Sequence, residues 1–182
     1  MTYPTALFLI GADIDNRANF MALAWGSTAN SKPAMFSVAI NYRQYTLKGI
    51  RQNMAFSINI PSVHMAQKAD YCGMVSGANI NKTDTCNFKI FYGKVVNAPL
   101  IEECPINMAC SVEHIIELPD HALVIGTVEE NYLSEKCFSD GEPDIDKISP
   151  LVLTTNLRQY RSLGDFIGKA FSIGKQLTEN NE

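Results

Sequence analysis

The chain has 182 residues, a formal net charge of −4 and a hydrophobic fraction of 46%. That length predicts a single domain, residues 1–182, whose core needs no disulfide or metal staple. The mild, dispersed charge offers no Lys/Arg cluster to neutralise phosphates, which argues against a nucleic acid or a polybasic membrane contact. Five cysteines (Cys72, Cys86, Cys104, Cys110 and Cys137) are odd in number and lack C-x-x-C spacing. They predict free thiols in a reducing cytoplasm and speak against a zinc ribbon or a thioredoxin-like site. The apolar start, residues 1–10, has no basic region or cleavage site and reads as a strand, not a signal peptide. No apolar stretch approaches the ~20 residues that span a bilayer.

Residues 5–10 are β-prone and stop at Gly11, a turn signal. A hairpin loop is expected over 13–17, then a second strand over 19–25 that opens into a loop at Gly26-Ser27-Thr28. Pro33 favours extended geometry at Lys32 and so starts a third strand, 34–40. Thr46 is a good N-cap for a short helix, followed by a strand over 55–60 that stops at Pro61. Ser62 caps a second helix, 63–71, ending near Gly73. The Gly/Asn/Ser/Thr-rich stretch 75–85 reads as a loop, and 88–96 as containing a short strand. Two long β-prone runs, 109–118 and 122–132, joined by Pro119-Asp120-His121, predict an antiparallel hairpin. After an acidic loop, 139–147, come two closing strands near 151–154 and 157–160. Residues 163–175 place Phe166, Ile167, Ala170, Phe171 and Ile173 at helical spacing, which predicts an amphipathic C-terminal helix. The tail, 178–182, reads as frayed. Many short strands with few helices favour a barrel or sandwich, and no G-x-G-x-x-G marks a dinucleotide site.

Three histidines, His64, His114 and His121, form no metal spacing and read as solvated or structural. No G-x-S-x-G elbow is present, and no cysteine has a local histidine partner. The informative segment is 19–46. Ser27, Thr28, Asn30 and Ser31 crowd hydrogen-bonding groups into five positions. Asn41, Arg43 and Thr46 then precede a helix, where an Arg fork, a hydroxyl and free N–H groups suit a phosphate. Trp25 can wall a flat ring. Each feature alone equally fits a turn, a core aromatic or a surface charge.

Taken together, N-x-M-A-x-A-W-G-S-T, then R-x-x-T-x-x-x-I before F-S-I-N-I-P, resembles the flavin reductase-like family, which includes flavoredoxins. Ala69-Asp70-Tyr71-Cys72-Gly73, Ser76-Gly77, Asn81-Lys82 and Tyr160-Arg161-Ser162-Leu163-Gly164 extend the likeness, with Ile167-Gly168 and Ala170-Phe171 beyond. The family often carries Asp where Asn81 stands. The resemblance implies an FMN-binding split β-barrel, a mainly β, antiparallel Greek-key barrel with a few short helices and a C-terminal helix. It further implies a homodimer with FMN near the subunit interface. On this sequence Asn19, Trp25, Gly26, Ser27 and Thr28 would face the flavin, with Ala39, Ile40 and Asn41 continuing the wall. Arg43 and Thr46 would hold the phosphate, helped by Lys82, and Tyr160 would approach from the C-terminal side. The implied activity is electron transfer from NADH or NADPH through FMN to a flavin, ferric or protein acceptor. No side chain is assigned a catalytic role, because the cofactor carries the chemistry. The alternatives are a non-enzymatic FMN electron carrier and a non-catalytic dimeric ligand-binding barrel.

Overall fold

The computed structural model describes residues 3–175 and 177. In chain order the strands and helices are β1 (Pro4–Ala6), β2 (Phe8–Ile14), β3 (Arg17–Leu23), β4 (Gly26–Ser31), β5 (Ala34–Asn41), α1 (Thr46–Asn53), β6 (Ala55–Ile60), α2 (Ala66–Met74), α3 (Lys82–Cys86), β7 (Ile90–Phe91), β8 (Leu100–Ile101), β9 (Ile106–Glu117), β10 (His121–Leu133), β11 (Phe138–Ser139), β12 (Glu142–Pro143), α4 (Ile145–Ile148), β13 (Val152–Thr154) and β14 (Gln159–Arg161). No helix among the described residues is long and apolar enough to cross a membrane.

Seven strands form one sheet in the order β3-β2-β6-β9-β10-β5-β4, with every pairing antiparallel. Its two edges, β3 and β4, are consecutive in the chain and joined by Ala24 and Trp25 alone. Laid flat, six inter-strand gaps would separate those edges by about 29 Å. Two linking residues reach about 11 Å. The sheet therefore curls until its edges approach without pairing, which is a split barrel.

Alternation along the strands fills both sides of the wall. Phe8, Ile10 and Ala12 of β2 join Phe36, Val38, Ile40, Phe56, Ile58 and Val124 inside the barrel, where Leu47 and Ile50 of α1 plug it. Leu9 faces the other way, into a second core with Leu7, Phe20, Ala69, Cys72, Ile101 and Leu151. Outside this second core, β1, β13 and β14 form a three-stranded sheet. The β2–β3 hairpin turns at Asp15 and Asn16, both at positive φ (52° and 60°), which suits a two-residue turn.

Several expectations change. Gly11 lies inside β2, because a side chain there would strike Ser57 and the Phe20 ring. Gly26-Ser27-Thr28 is not a loop but the start of β4, zipped to β5. Thr46 is the first residue of α1 rather than its cap, and the cap position falls to Tyr45. A 3₁₀ turn, Val63–Met65, precedes α2, while α3 interrupts the expected loop 75–85. The acidic loop carries the β11–β12 hairpin and α4, whose cap Asp144 accepts from the N–H groups of Asp146 and Lys147. The amphipathic helix expected over 163–175 does not form: residues 162–169 are irregular, 170–172 make a turn and Ile173–Lys175 is a 3₁₀ helix. Helical spacing of apolar residues is necessary for such a helix, yet Gly164 and Gly168 weaken it and no core meets its face. Residues 178–182 lie outside those described.

All five cysteines are unpaired and buried. Burial pushes the thiols of Cys72 and Cys110 up to about 12, from about 9. Thiols raised in the folded state stabilise fully below pH 9, and that contribution falls as pH climbs toward 12. Each such group removes about 1.4 kcal/mol per pH unit within that window. In urea unfolding between pH 8 and 10.5, Cys110→Ala is expected to show a shallower alkaline loss than wild type by about that slope.

Candidate functional site

The edge-to-edge link puts Trp25 at the seam, half exposed, with its carbonyl accepting from the Ala39 N–H at 2.9 Å. β5 and β10 pair so that Asn41 lies opposite His121 and Ala39 opposite Leu123. The indole therefore meets the His121 ring, centroid to centroid 4.8 Å at 31°. His121 Nδ1–H donates to the Asp120 carboxylate at 2.6 Å, which holds the imidazole in place. Beside the indole lies a cleft of about 420 Å³ lined by Tyr3, Thr5, Trp25, Ser27, Ala39 and Leu123, with Ala24, Gly26 and Ser37 completing its wall. Ser37 Oγ donates to the Ser27 carbonyl at 3.2 Å, so two hydroxyls sit together on the cleft wall. A second cavity of about 400 Å³ flanks Trp25 and is bounded by Tyr3, Leu153, Thr155, Asn156 and Arg158.

Gly26 is required by packing: a Cβ there would come within 2.9 Å of the Phe36 ring and 3.3 Å of Phe8. Thr28 lies further along β4, exposed and opposite Phe36. Asn41 ends β5, and its Oδ1 accepts from the Arg43 N–H at 3.0 Å, forming an Asx turn that directs the chain into α1. The Arg43 side chain is exposed, and its guanidinium makes no hydrogen bond or ion pair among the described residues. It stands near the start of α1, where the N–H groups of Leu47 and Lys48 already donate to the carbonyls of Gln44 and Tyr45, each at 3.1 Å.

Five predicted site residues are placed away from the cleft. Ile40 points into the barrel core, fully buried, so only its backbone borders the cleft side. Asn19 and Thr46 bond to each other, Nδ2 to Oγ1 at 2.7 Å, in a buried pair that locks β3 to α1. Gly77 lies against the Asn19 side chain, and its carbonyl accepts from Arg17 at 2.7 Å, so the 75–81 loop closes over this pair. The Thr46 hydroxyl thus accepts from Asn19, and its own proton remains to donate. Lys82 is buried, with Nζ donating to the carbonyls of Phe20 at 2.7 Å and Cys72 at 2.8 Å. Burial holds its pKa below the usual lysine value. It ties β3, α2 and α3 together and does not join Arg43. Tyr160 donates its hydroxyl to Asp70 at 2.8 Å; burial and that carboxylate push it up to about 12. It anchors β14 on α2, leaving Leu153, Thr155, Asn156 and Arg158 as the C-terminal residues that line the cavity beside Trp25.

Sequence reasoning missed Ser37, Leu123, His121 and Tyr3. The signal for Leu123 was present: Ala-Leu-Val-Ile at 122–125 is an unbroken apolar run, as a strand with cover on both faces carries. His121 and Tyr3 reach Trp25 only through long-range pairing.

A family model described as "Flavin reductase like domain" matches residues 1–164. The chain belongs to the flavin reductase-like family. It is similar to the crystal structure of flavoredoxin from Methanosarcina acetivorans, at 40% identity over 96% of this chain and 93% of that one, with a TM-score of 0.92. Flavoredoxin of Desulfovibrio vulgaris (Miyazaki F) is 37% identical over 94% and 93%, with a TM-score of 0.89. An FMN-binding protein from Thermus thermophilus shares the fold at 19% identity over 92% and 90%, with a TM-score of 0.80. Among curated relatives, an uncharacterized protein of Archaeoglobus fulgidus is 29% identical over 144 residues, 79% of this chain and 80% of that one. The family match embraces both the Trp25 cleft and the buried Lys82.

The interior role of Lys82 has a direct test. Lys82→Met leaves two buried carbonyls without their donor, each costing about 1–3 kcal/mol. Chemical denaturation is expected to show a loss of roughly 2–6 kcal/mol, as two such carbonyls would give.

Proposed function

We propose that this flavin reductase-like chain binds FMN in the Trp25 cleft and works as an FMN-dependent oxidoreductase of the flavin reductase/flavoredoxin type. The observation that carries this is the cleft itself. It has an aromatic wall, two hydroxyls and an apolar floor, in a chain 40% identical to a flavoredoxin. Its volume lies within the range of about 300–1,000 Å³ typical of small-molecule pockets. The donor set suits the cofactor: Trp25, Ala39 and Leu123 for a flat ring, the Ser27 and Ser37 hydroxyls for its polar edge. The exposed guanidinium of Arg43, just before α1, suits a phosphate.

Bound FMN would supply hydride and one-electron chemistry. The chain's own residues bind and orient. Trp25 and Tyr3 shield the cleft from water on one side, and Ser27 and Ser37 offer hydrogen bonds to an electron-rich ring. The donor in this reading is NADH or NADPH, and the acceptor a flavin, ferric or protein species. The working unit is a homodimer, in a reducing cytoplasm that suits five unpaired thiols.

Arg43→Ala is expected to weaken FMN binding by about 10- to 150-fold, the equivalent of one charge-assisted contact of about 1.5–3 kcal/mol. Titration of apo-protein followed by flavin fluorescence measures this. Thr46→Ala should instead lower stability, because its hydroxyl serves Asn19. A colourless protein that ignores added FMN would remove the proposal. FMN binding without anaerobic bleaching by NADH or NADPH would favour an electron carrier.

A further inference from the structure

Far from the Trp25 seam, the β9–β10 hairpin starts and finishes beside a cavity that the proposed activity does not use. Leu123 lies in the Trp25 cleft, whereas Leu133, at the other end of β10, lies in the wall of this second space. The strand between them spans about 33 Å. The cavity measures about 790 Å³, within the range of about 300–1,000 Å³ that suits small organic ligands. Its wall draws on separate segments: Phe91 of β7, Glu102 and Cys104 after β8, Asn107 of β9, and the run from Tyr132 to Lys136 that leaves β10.

Strand pairing brings these segments together. Tyr132 stands opposite Asn107 in the β9–β10 register, so the two side chains share one face of the sheet. The Phe91 ring meets the Tyr132 ring edge-on, 5.4 Å between centroids at 85°. The Ser134 N–H donates to the Pro105 carbonyl at 2.9 Å and pins the segment after β10 to the one before β9.

Asn107 sets the chemistry. It lines the cavity and is only 4% exposed. Its Nδ2 donates to the Cys104 carbonyl at 3.0 Å. A carbonyl can only accept, so the amide nitrogen must face it and the orientation of the side chain is fixed. The atom left over is Oδ1, an acceptor, buried and without a hydrogen-bond partner among the described residues. Such a group is uncommon in a folded protein and calls for a donor. The Tyr132 hydroxyl does not serve, because it donates to Glu130 at 2.6 Å. Glu102 and Glu135, both exposed, add two carboxylates against the single ammonium of Lys136. The lining is therefore rich in acceptors and net negative.

We propose that this cavity is a second binding site, separate from the Trp25 cleft, for a small organic amine that carries its positive charge on N–H groups. An ammonium N–H meets Asn107 Oδ1, and the Glu102 and Glu135 carboxylates balance the charge. Phe91 and Tyr132 take the carbon body, and an aromatic wall also favours a cation. No group of His, Cys, Asp and Glu among the described residues could hold a metal ion, so the cation that fits is organic. An anion would meet acceptors and like charge. The site stands whether or not the Trp25 cleft holds FMN.

Calorimetric titration of the full chain with 1,4-diaminobutane tests this, with one site per chain expected in the presence or absence of FMN. The analogue with three methyl groups on each nitrogen keeps both charges but has no N–H. It should bind about 10- to 150-fold more weakly, the loss of one charge-assisted hydrogen bond. Glu102→Gln/Glu135→Gln should weaken diamine binding by about 10-fold or more. Glu129→Gln/Asp165→Asn removes the same charge outside the cavity and should leave binding unchanged. All four residues are exposed, so both variants should fold and keep their affinity for FMN. Absence of saturable diamine binding at millimolar concentration overturns the proposal. Equal binding of the methylated analogue, or equal weakening in the two double variants, also overturns it, because charge alone would then attract the amine.

Discussion

Everything in this molecule depends on a link that is too short for a flat sheet. Ala24 and Trp25 join the two edge strands of a seven-stranded sheet, and that sheet must bend through nearly a full turn to let them do so. The bend encloses the main core and leaves a seam. Because Trp25 belongs to the link, the largest side chain near the seam is fixed there by connectivity. The cleft beside it follows from the same cause: β4 and β5 on one side, β1 on the other, with no strand to fill the gap. The Thr5 hydroxyl donates to the Ala24 carbonyl at 3.0 Å and pins the link to β1.

A curled sheet with apolar residues on both faces needs a second layer, and the chain supplies one from distant segments. Leu7 N–H donates to the Leu151 carbonyl at 2.9 Å, bringing the last strands against the first. Lys82 takes a place where a charge is costly, and meets that cost by donating to two carbonyls that the sheet and α2 leave available. Asn59 works in the same way deeper in, donating to the Leu9 carbonyl at 2.9 Å and accepting from the Ile101 N–H at 2.9 Å. These buried polar groups act as cross-ties between elements. That explains why residues which resemble ligands in sequence, Lys82 and Asn19 among them, are spent on structure.

The site is correspondingly lean. Its wall is made from a backbone-paired hairpin, one indole, one imidazole held by Asp120, and two serine hydroxyls. No metal-binding group of His, Cys, Asp or Glu exists among the described residues. Such a surface can hold and orient a ring and a phosphate, and it leaves the reactive chemistry to whatever it holds. Among the described residues, Arg43 is the one unengaged cation near the helix that opens beyond β5, placed there by the Asx turn at Asn41.

Local patterning in the sequence determined the strand-rich class, the β9–β10 hairpin, α1, β6 and the membership carried by 19–46. Each rests on alternation, turn residues or short-range spacing, which neighbours in the chain can specify. The same patterning read Gly26-Ser27-Thr28 as a loop because small polar residues crowd there, whereas pairing with β5 makes them a strand. It read 163–175 as a helix because apolar spacing says nothing about whether a surface exists to receive it. Only the tertiary structure decided which polar residues face the cleft. Lys82, Asn19, Thr46 and Tyr160 are drawn inward by carbonyls and side chains up to 90 positions away, while His121 and Tyr3 are delivered to Trp25 by strand register. A residue's type sets what it can bond to. The closure of the sheet sets which partner is within reach.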